Sequence, residues 1–181
     1  MLVVMYVLFA VVLVGILLIW YANVYNKFQS LIIRINEAEA SIDTVLRKRF
    51  DLLNKAIGVI KANIDTEEDV LDIIVKLRSR KLSNFELDRQ LYEAINEFNR
   101  YKEMHKELQK CEGFIKIELG LNESESEIVA LRKYYNDIIT DYNELAKVFP
   151  ANIVAKISHL KERTYFDGKN MSDNVVNDFK L

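Results

Sequence analysis

Any chemistry in this chain has to come from a small stock of side chains. The 181 residues include two histidines and one cysteine. A helical scaffold can build a di-metal centre from Glu-x-x-His pairs, because residues three apart share a helix face. Neither histidine qualifies: His105 follows Lys102 at that spacing, and His159 follows Lys156. Cys111 stands alone, so the chain offers neither a zinc knuckle nor an internal disulfide. The segments G-x-x-x-x-G-K-[ST], G-x-G-x-x-G and G-x-S-x-G, which cradle phosphates or raise a nucleophilic serine, do not occur. A Ser-His-Asp triad is possible by count but has no local support. The residues point away from an enzyme, and no catalytic, metal-binding or cofactor-binding residue is expected.

The polar residues that stand out each have a plainer role. His105 falls on an apolar stripe and reads as a hydrogen-bonded core histidine. Tyr135 and Tyr142 lie seven apart and read as packing, with hydroxyls that need partners if buried. Arg49 interrupts an apolar seam. It either pairs with a carboxylate from a facing helix, a device that can set register, or reaches solvent by snorkelling. Glu123, Glu125 and Glu127 read as a solvated face, with a cation site as the alternative. The 25 basic and 27 acidic residues leave a net charge of -2, which argues against nucleic acid as a partner.

The elements that position these residues begin with an apolar leader. No charged residue appears before Lys27, and only Gly15 interrupts the run of large apolar side chains from Leu2 to Tyr21. Twenty such residues rise about 30 Å, the thickness of a hydrocarbon core. A soluble core helix would show a polar face. A cleaved signal peptide would show a basic start and a small-residue cleavage site, and neither is present. Trp20, Tyr21 and Tyr25 cluster where the span ends, the place aromatic rings take at a membrane–water interface. The expectation is an uncleaved single-pass anchor in the cell membrane, with residues 2–21 in the lipid bilayer. Lys27 and Arg34 follow the span and no basic side chain precedes it, which puts the C-terminal domain in the cytoplasm.

Beyond the span the pattern is helical. Val24, Phe28, Leu31, Ile35, Ala38, Ile42, Val45, Leu52, Ala56 and Val59 follow one another at heptad spacing, with Arg49 the break. One helix is therefore expected from the membrane to about Asn63. A turn and a short helix capped by Thr66, carrying Val70, Ile73, Ile74 and Leu77, come next and fray at Ser79–Lys81. Ser83 and Glu86 form a capping box for a third helix with Leu87, Leu91, Ala94, Phe98, Tyr101, His105 and Leu108 on its stripe. Cys111-Glu112-Gly113 marks a turn. The clearest stripe is Ile128, Leu131, Tyr135, Ile138, Tyr142, Leu145 and Phe149, the expected structural seam of the last helix. Ser124-x-x-Glu127 offers that helix a start, with a start near Phe114 left open, and Pro150 a stop. The one proline and five glycines favour long helices. The fold expected is all-α: an N-terminal transmembrane helix continuing into the long helix of an antiparallel, four-helix-type bundle. Its parts are an anchor over 1–22, a bundle over 23–160 and a polar, flexible tail over 161–181.

Three stretches share a pattern with one known family. The first runs from Tyr25-Asn26 through Ala38 and Ile42-Asp43 to Leu46-Arg47-Lys48-Arg49 and Asp51-Leu52. The second is ESESEIVALRKYYNDIITDYNELAKVFPANIVA, with Glu125, Ile128, Arg132, Tyr135-Asn136, Tyr142-Asn143, Phe149-Pro150 and Ala155 at the matching places. The third is Tyr165-Phe166-Asp167. In these, residues 20 to 167 resemble the LemA family, bacterial proteins with one N-terminal anchor and a helical domain. The chain departs from the pattern at Asn54, where the family often has proline, and at Glu39, where it has tryptophan. The proline turn of the family falls on His105-Lys106-Glu107-Leu108, and its loss predicts a turn shifted toward Gly113. The resemblance implies the anchor-and-bundle fold and carries over no catalytic residue.

The function expected is a non-enzymatic, membrane-anchored interaction or scaffold module, binding an unknown protein or itself. The alternatives are self-assembly that organises membrane, and an adaptor for a membrane protease or sensor kinase.

Overall fold

A computed structural model describes residues 1–64, 70–77 and 82–166. Helix α1 spans Leu2–Asn63, α2 Asp72–Leu77, α3 Asn84–Met104, α4 Glu112–Lys147 and α5 Ala151–Ile157. A single 3-10 turn at Leu108–Lys110 precedes α4, and no strand occurs among the described residues. The chain divides into two compact units, Met1–Glu37 with Tyr135–Tyr165, and Ala38–Tyr134 with Phe166.

In the first unit, α1 opens with a stretch long and apolar enough to cross a membrane, at a mean hydropathy of 3.2 with none of it buried. Side chains turn inward only from Phe28, followed by Leu31 and Ile35. The steps of three and four keep these three on one stripe of the helix. The same unit buries Tyr135, Ile138, Ile139 and Tyr142 of α4 and Val154 of α5. Phe28 meets Tyr142 edge-on, with ring centroids 5.6 Å apart. Nearer the N-terminus, Tyr21 reaches Ser158. The two segments therefore run in opposite directions.

The second unit holds the rest of α1, with α2, α3 and the start of α4. Ala38, Ile42, Val45 and Leu46 are buried, and then Leu53, Ala56 and Ile60. Leu52 and Val59, expected on the stripe, are half-buried instead. A straight helix turns every 3.6 residues, so a strict heptad drifts around it and the buried line moves on by one residue. Leu91, Ala94, Phe98 and Tyr101 of α3 face the same core. Phe98 stacks on Phe114 of α4 at 4.3 Å. Gly120 lets α4 come close to α1, since a Cβ there would stand 3.0 Å from a methyl of Leu52.

Three local expectations change. Ser83 does cap α3, accepting from the Glu86 N–H at 3.3 Å, and α3 ends at Met104. The link to α4 then stays at His105–Cys111 rather than moving to Gly113, which lies in the first turn of α4. Secondly, α4 is continuous through Gly120 and Ser124, so Ser124-x-x-Glu127 is not a helix start. Thirdly, α2 is only six residues long. Leu71, at φ 52° just before it, donates its N–H to Glu97 of α3 at 3.1 Å. The Thr66 cap and the fraying at Ser79–Lys81 lie outside the described residues.

Candidate functional site

The densest polar cluster lies in the second unit and is built on Arg49. Its guanidinium occupies a seam position of α1 and is fully buried. Nε donates to Ser124 Oγ at 3.0 Å. Nη2 donates to the Glu125 carboxylate. Nη1 lies 3.8 Å from Asp88 Oδ1 of α3. Asp88 is also fully buried, and its other oxygen accepts from Arg132 of α4. One charged network thus ties α1, α3 and α4 together. Lys48 adds a longer pair to Glu127 at 3.8 Å. Glu123, Glu125 and Glu127 are exposed, as expected of a solvated face, and Glu125 and Glu127 also face cations supplied by α1.

The network closes on an aromatic cap. The Arg132 guanidinium lies over the Phe166 ring at 5.6 Å, and Phe166 packs on Phe85 at 4.5 Å. Phe166 is buried. Stacking of this kind suits the flat, weakly hydrated guanidinium group.

Burial and hydrogen bonding set the state of these groups. Burial pushes the Asp88 carboxyl above its ordinary value, against the opposing pull of Arg132 and Arg49. Arg49 Nη1 and Asp88 Oδ1 make no hydrogen bond, so their attraction acts through space. Ser124 is committed on both sides, accepting from Arg49 and donating to the Leu121 carbonyl at 2.7 Å. A hydroxyl whose proton goes to a backbone carbonyl has no base to activate it. No group of three or more His, Cys, Asp or Glu suited to a metal ion occurs among the described residues. Beside the cluster runs a groove of about 200 Å³ between α3 and α4, lined by Tyr92, Asn96, Asn99, Glu118, Asn122 and Glu125 among others.

A second polar contact, in the first unit, fixes the chain beyond α5. The buried Asn143 side chain donates to the Arg163 carbonyl and accepts the Arg163 N–H, both at 2.9 Å. Arg163 in turn lies over the Tyr142 ring at 5.9 Å. Within the tail expected over 161–181, Arg163 is held by these bonds and Phe166 is buried, and the stretch beyond Phe166 lies outside the described residues.

The expected seam is partly brought together. Ile128, Tyr135, Ile138 and Tyr142 are buried, and Leu131 and Leu145 are half-buried. Phe149 is not in the seam: it is 75% exposed. Helix α4 ends at Lys147, so the helical period no longer carries that ring inward. Trp20 and Tyr21 are half-buried and Tyr25 is exposed, with the Tyr21 and Tyr25 rings stacked 6.2 Å apart. His105 is half-buried at the C-cap of α3, its ring stacked on Tyr101 at 6.2 Å. Asp88 was not singled out by its sequence surroundings. Its signal was its place three residues before Leu91 on the α3 stripe, together with a seam arginine in need of a carboxylate.

The model of the LemA family matches residues 38–179. The chain belongs to the LemA family. The matched stretch contains Arg49, Asp88, Ser124, Glu125, Arg132 and Asn143, so both polar contacts lie within the family's own region. It begins at Ala38, which leaves the Tyr25-Asn26 part of the resemblance outside it, and it runs on past Phe166. A search of curated proteins found no match to the chain.

Proposed function

We propose that this chain is a membrane-anchored helical module that works by holding other proteins or further copies of itself, and not by catalysis. The observation that supports this best is the state of its core polar groups. Arg49, Asp88, Ser124 and Arg132 are paired with one another or with Glu125, whose carboxylate is half exposed. A catalytic cluster keeps a nucleophile, acid or base turned toward a substrate. This one joins three helices. Family membership agrees with the fold and assigns no chemistry.

The apolar start of α1 supplies the anchor, and Lys27 and Arg34 just beyond it favour a cytoplasmic location for the following helices. Binding then falls to the exposed faces of α3 and α4, where Tyr92 and Val129 offer apolar surface.

Photo-crosslinking in intact cells tests the proposal. A photoreactive residue placed at Tyr92 or at Val129 of the full chain should give discrete protein adducts, either of a partner or of a second copy. A span-only control should not give them. Lack of adducts at both sites, together with substrate turnover by the purified chain, would contradict the proposal.

A further inference from the structure

The corner between α4 and α5 carries large apolar side chains that stay exposed among the described residues. Val148, Phe149, Ile153 and Ile157 are 59, 75, 44 and 61% exposed. Ala151, Val154 and Ala155, on the other side of α5, are buried. Helix α5 therefore has two apolar faces, whereas a surface helix in water has one.

Two measures place this corner at the end of the span. Phe28 packs on Tyr142. Five residues back along α1 is Asn23, and five residues on from Tyr142 is Lys147, where α4 ends and the corner begins. In antiparallel helices of equal rise these positions are level. Independently, Tyr21 Oη and Ser158 Oγ share a hydrogen bond of 2.9 Å. Tyr21 is the residue at which the apolar run leaves the bilayer. The charge pattern agrees: Val148 to Lys161 contains Lys156 and Lys161 and no Asp or Glu. Apolar side chains backed by lysines, with no carboxylate, mark a segment that lies in a membrane interface.

We infer that the α4–α5 corner and the outer face of α5 sit in the headgroup–acyl boundary of an anionic bilayer, as a second membrane contact beside the span. The inference rests on the assignment of residues 2–21 to the bilayer. Phe149, Ile153 and Ile157 enter the lipid, and Lys156 and Lys161 meet the headgroups. The span is then held by two contacts, which limits its rotation and tilt.

Depth-dependent quenching tests this on the full chain. Cys111→Ser removes the native thiol. Leu17→Cys, Asp141→Cys, Phe149→Cys and Ile157→Cys are then made singly and labelled with a small fluorophore. Each is reconstituted in vesicles of phosphatidylcholine and phosphatidylglycerol, with or without spin-labelled acyl chains. Labels at Leu17, Phe149 and Ile157 should be quenched by the lipid spin label and shielded from iodide, and the label at Asp141 should show the reverse. Quenching at Leu17 with Phe149 and Ile157 open to iodide would overturn the inference and leave the span intact. Shielding of Phe149 from both quenchers would mean that a second copy covers it, which also overturns the inference. Absence of lipid quenching at Leu17 would overturn the span and the inference together.

Discussion

Arg49 and Asp88 face each other across 3.8 Å, and neither side chain is exposed to solvent. They stand on different helices, and each holds a further partner on α4: Ser124 and Glu125 for Arg49, and Arg132 for Asp88. Burying such charges costs free energy that only close partners offset. Removing one partner leaves the cost without its compensation.

Arg49→Ala should therefore destabilise the chain by about 3–5 kcal/mol, the range for breaking a buried ion pair from one side. Arg49→Lys keeps the charge but loses the planar fork that reaches three groups at once, and should recover only part of that loss. Denaturant unfolding of the full chain in detergent, followed by circular dichroism, measures both. Equal midpoints for the parent and Arg49→Ala would show that the network contributes nothing.

Asp88 gives a dependence on pH with a definite sign. Burial holds its carboxyl above the ordinary value of 3.8 in the folded chain. Between that value and the raised one, the fold keeps a proton that the unfolded chain has released. The contribution of Asp88 is then complete below the ordinary value and is lost as pH rises through the raised one. Relative to Asp88→Asn, which cannot titrate, the parent should lose thermal stability as pH climbs above about 4. An advantage of the parent that grows with pH would mean that Arg132 and Arg49 outweigh burial.

Asn143→Ala removes both hydrogen bonds to the Arg163 backbone. Two such bonds are worth about 1–3 kcal/mol together. The effect should be local: faster trypsin cleavage after Lys161 and Arg163, with little change in the helical melt. Cleavage at the parental rate would show that Asn143 does not hold the segment.

Tyr135 is 3% exposed in the core of the first unit. Tyr135→Asp puts a charge there and should cost several kcal/mol, since an isolated buried carboxylate is among the most unfavourable changes a core can take. A melt that matches the parent would contradict the packing described for α4.

Much of this fold was legible in the sequence because helices repeat. The stripe from Phe28 to Val45 and that from Ile128 to Tyr142 follow from spacing alone. The misses share a cause, which is that tertiary partners decide what local motifs leave open. Ser124-x-x-Glu127 has the form of a helix start, yet an arginine 75 positions earlier in the chain takes the hydroxyl, and α4 runs straight through. Leu52 and Val59 left the stripe because a real helix does not close every 3.5 residues. Phe149 left it because α4 stops two residues earlier. Asp88 could be found only by asking what Arg49 pairs with. The Asn143–Arg163 contact joins residues 20 apart through a backbone that turns at α5, and no periodicity reports that.

The reading proposed for the apolar start of α1 is that it stays attached as a membrane anchor for the helices that follow. Its most direct test is the intact mass of the chain recovered from alkali-washed membranes of expressing cells. The full-length, uncleaved mass is expected in the membrane pellet. A soluble species that has lost roughly the first two dozen residues, the length of a secretory leader, would contradict it.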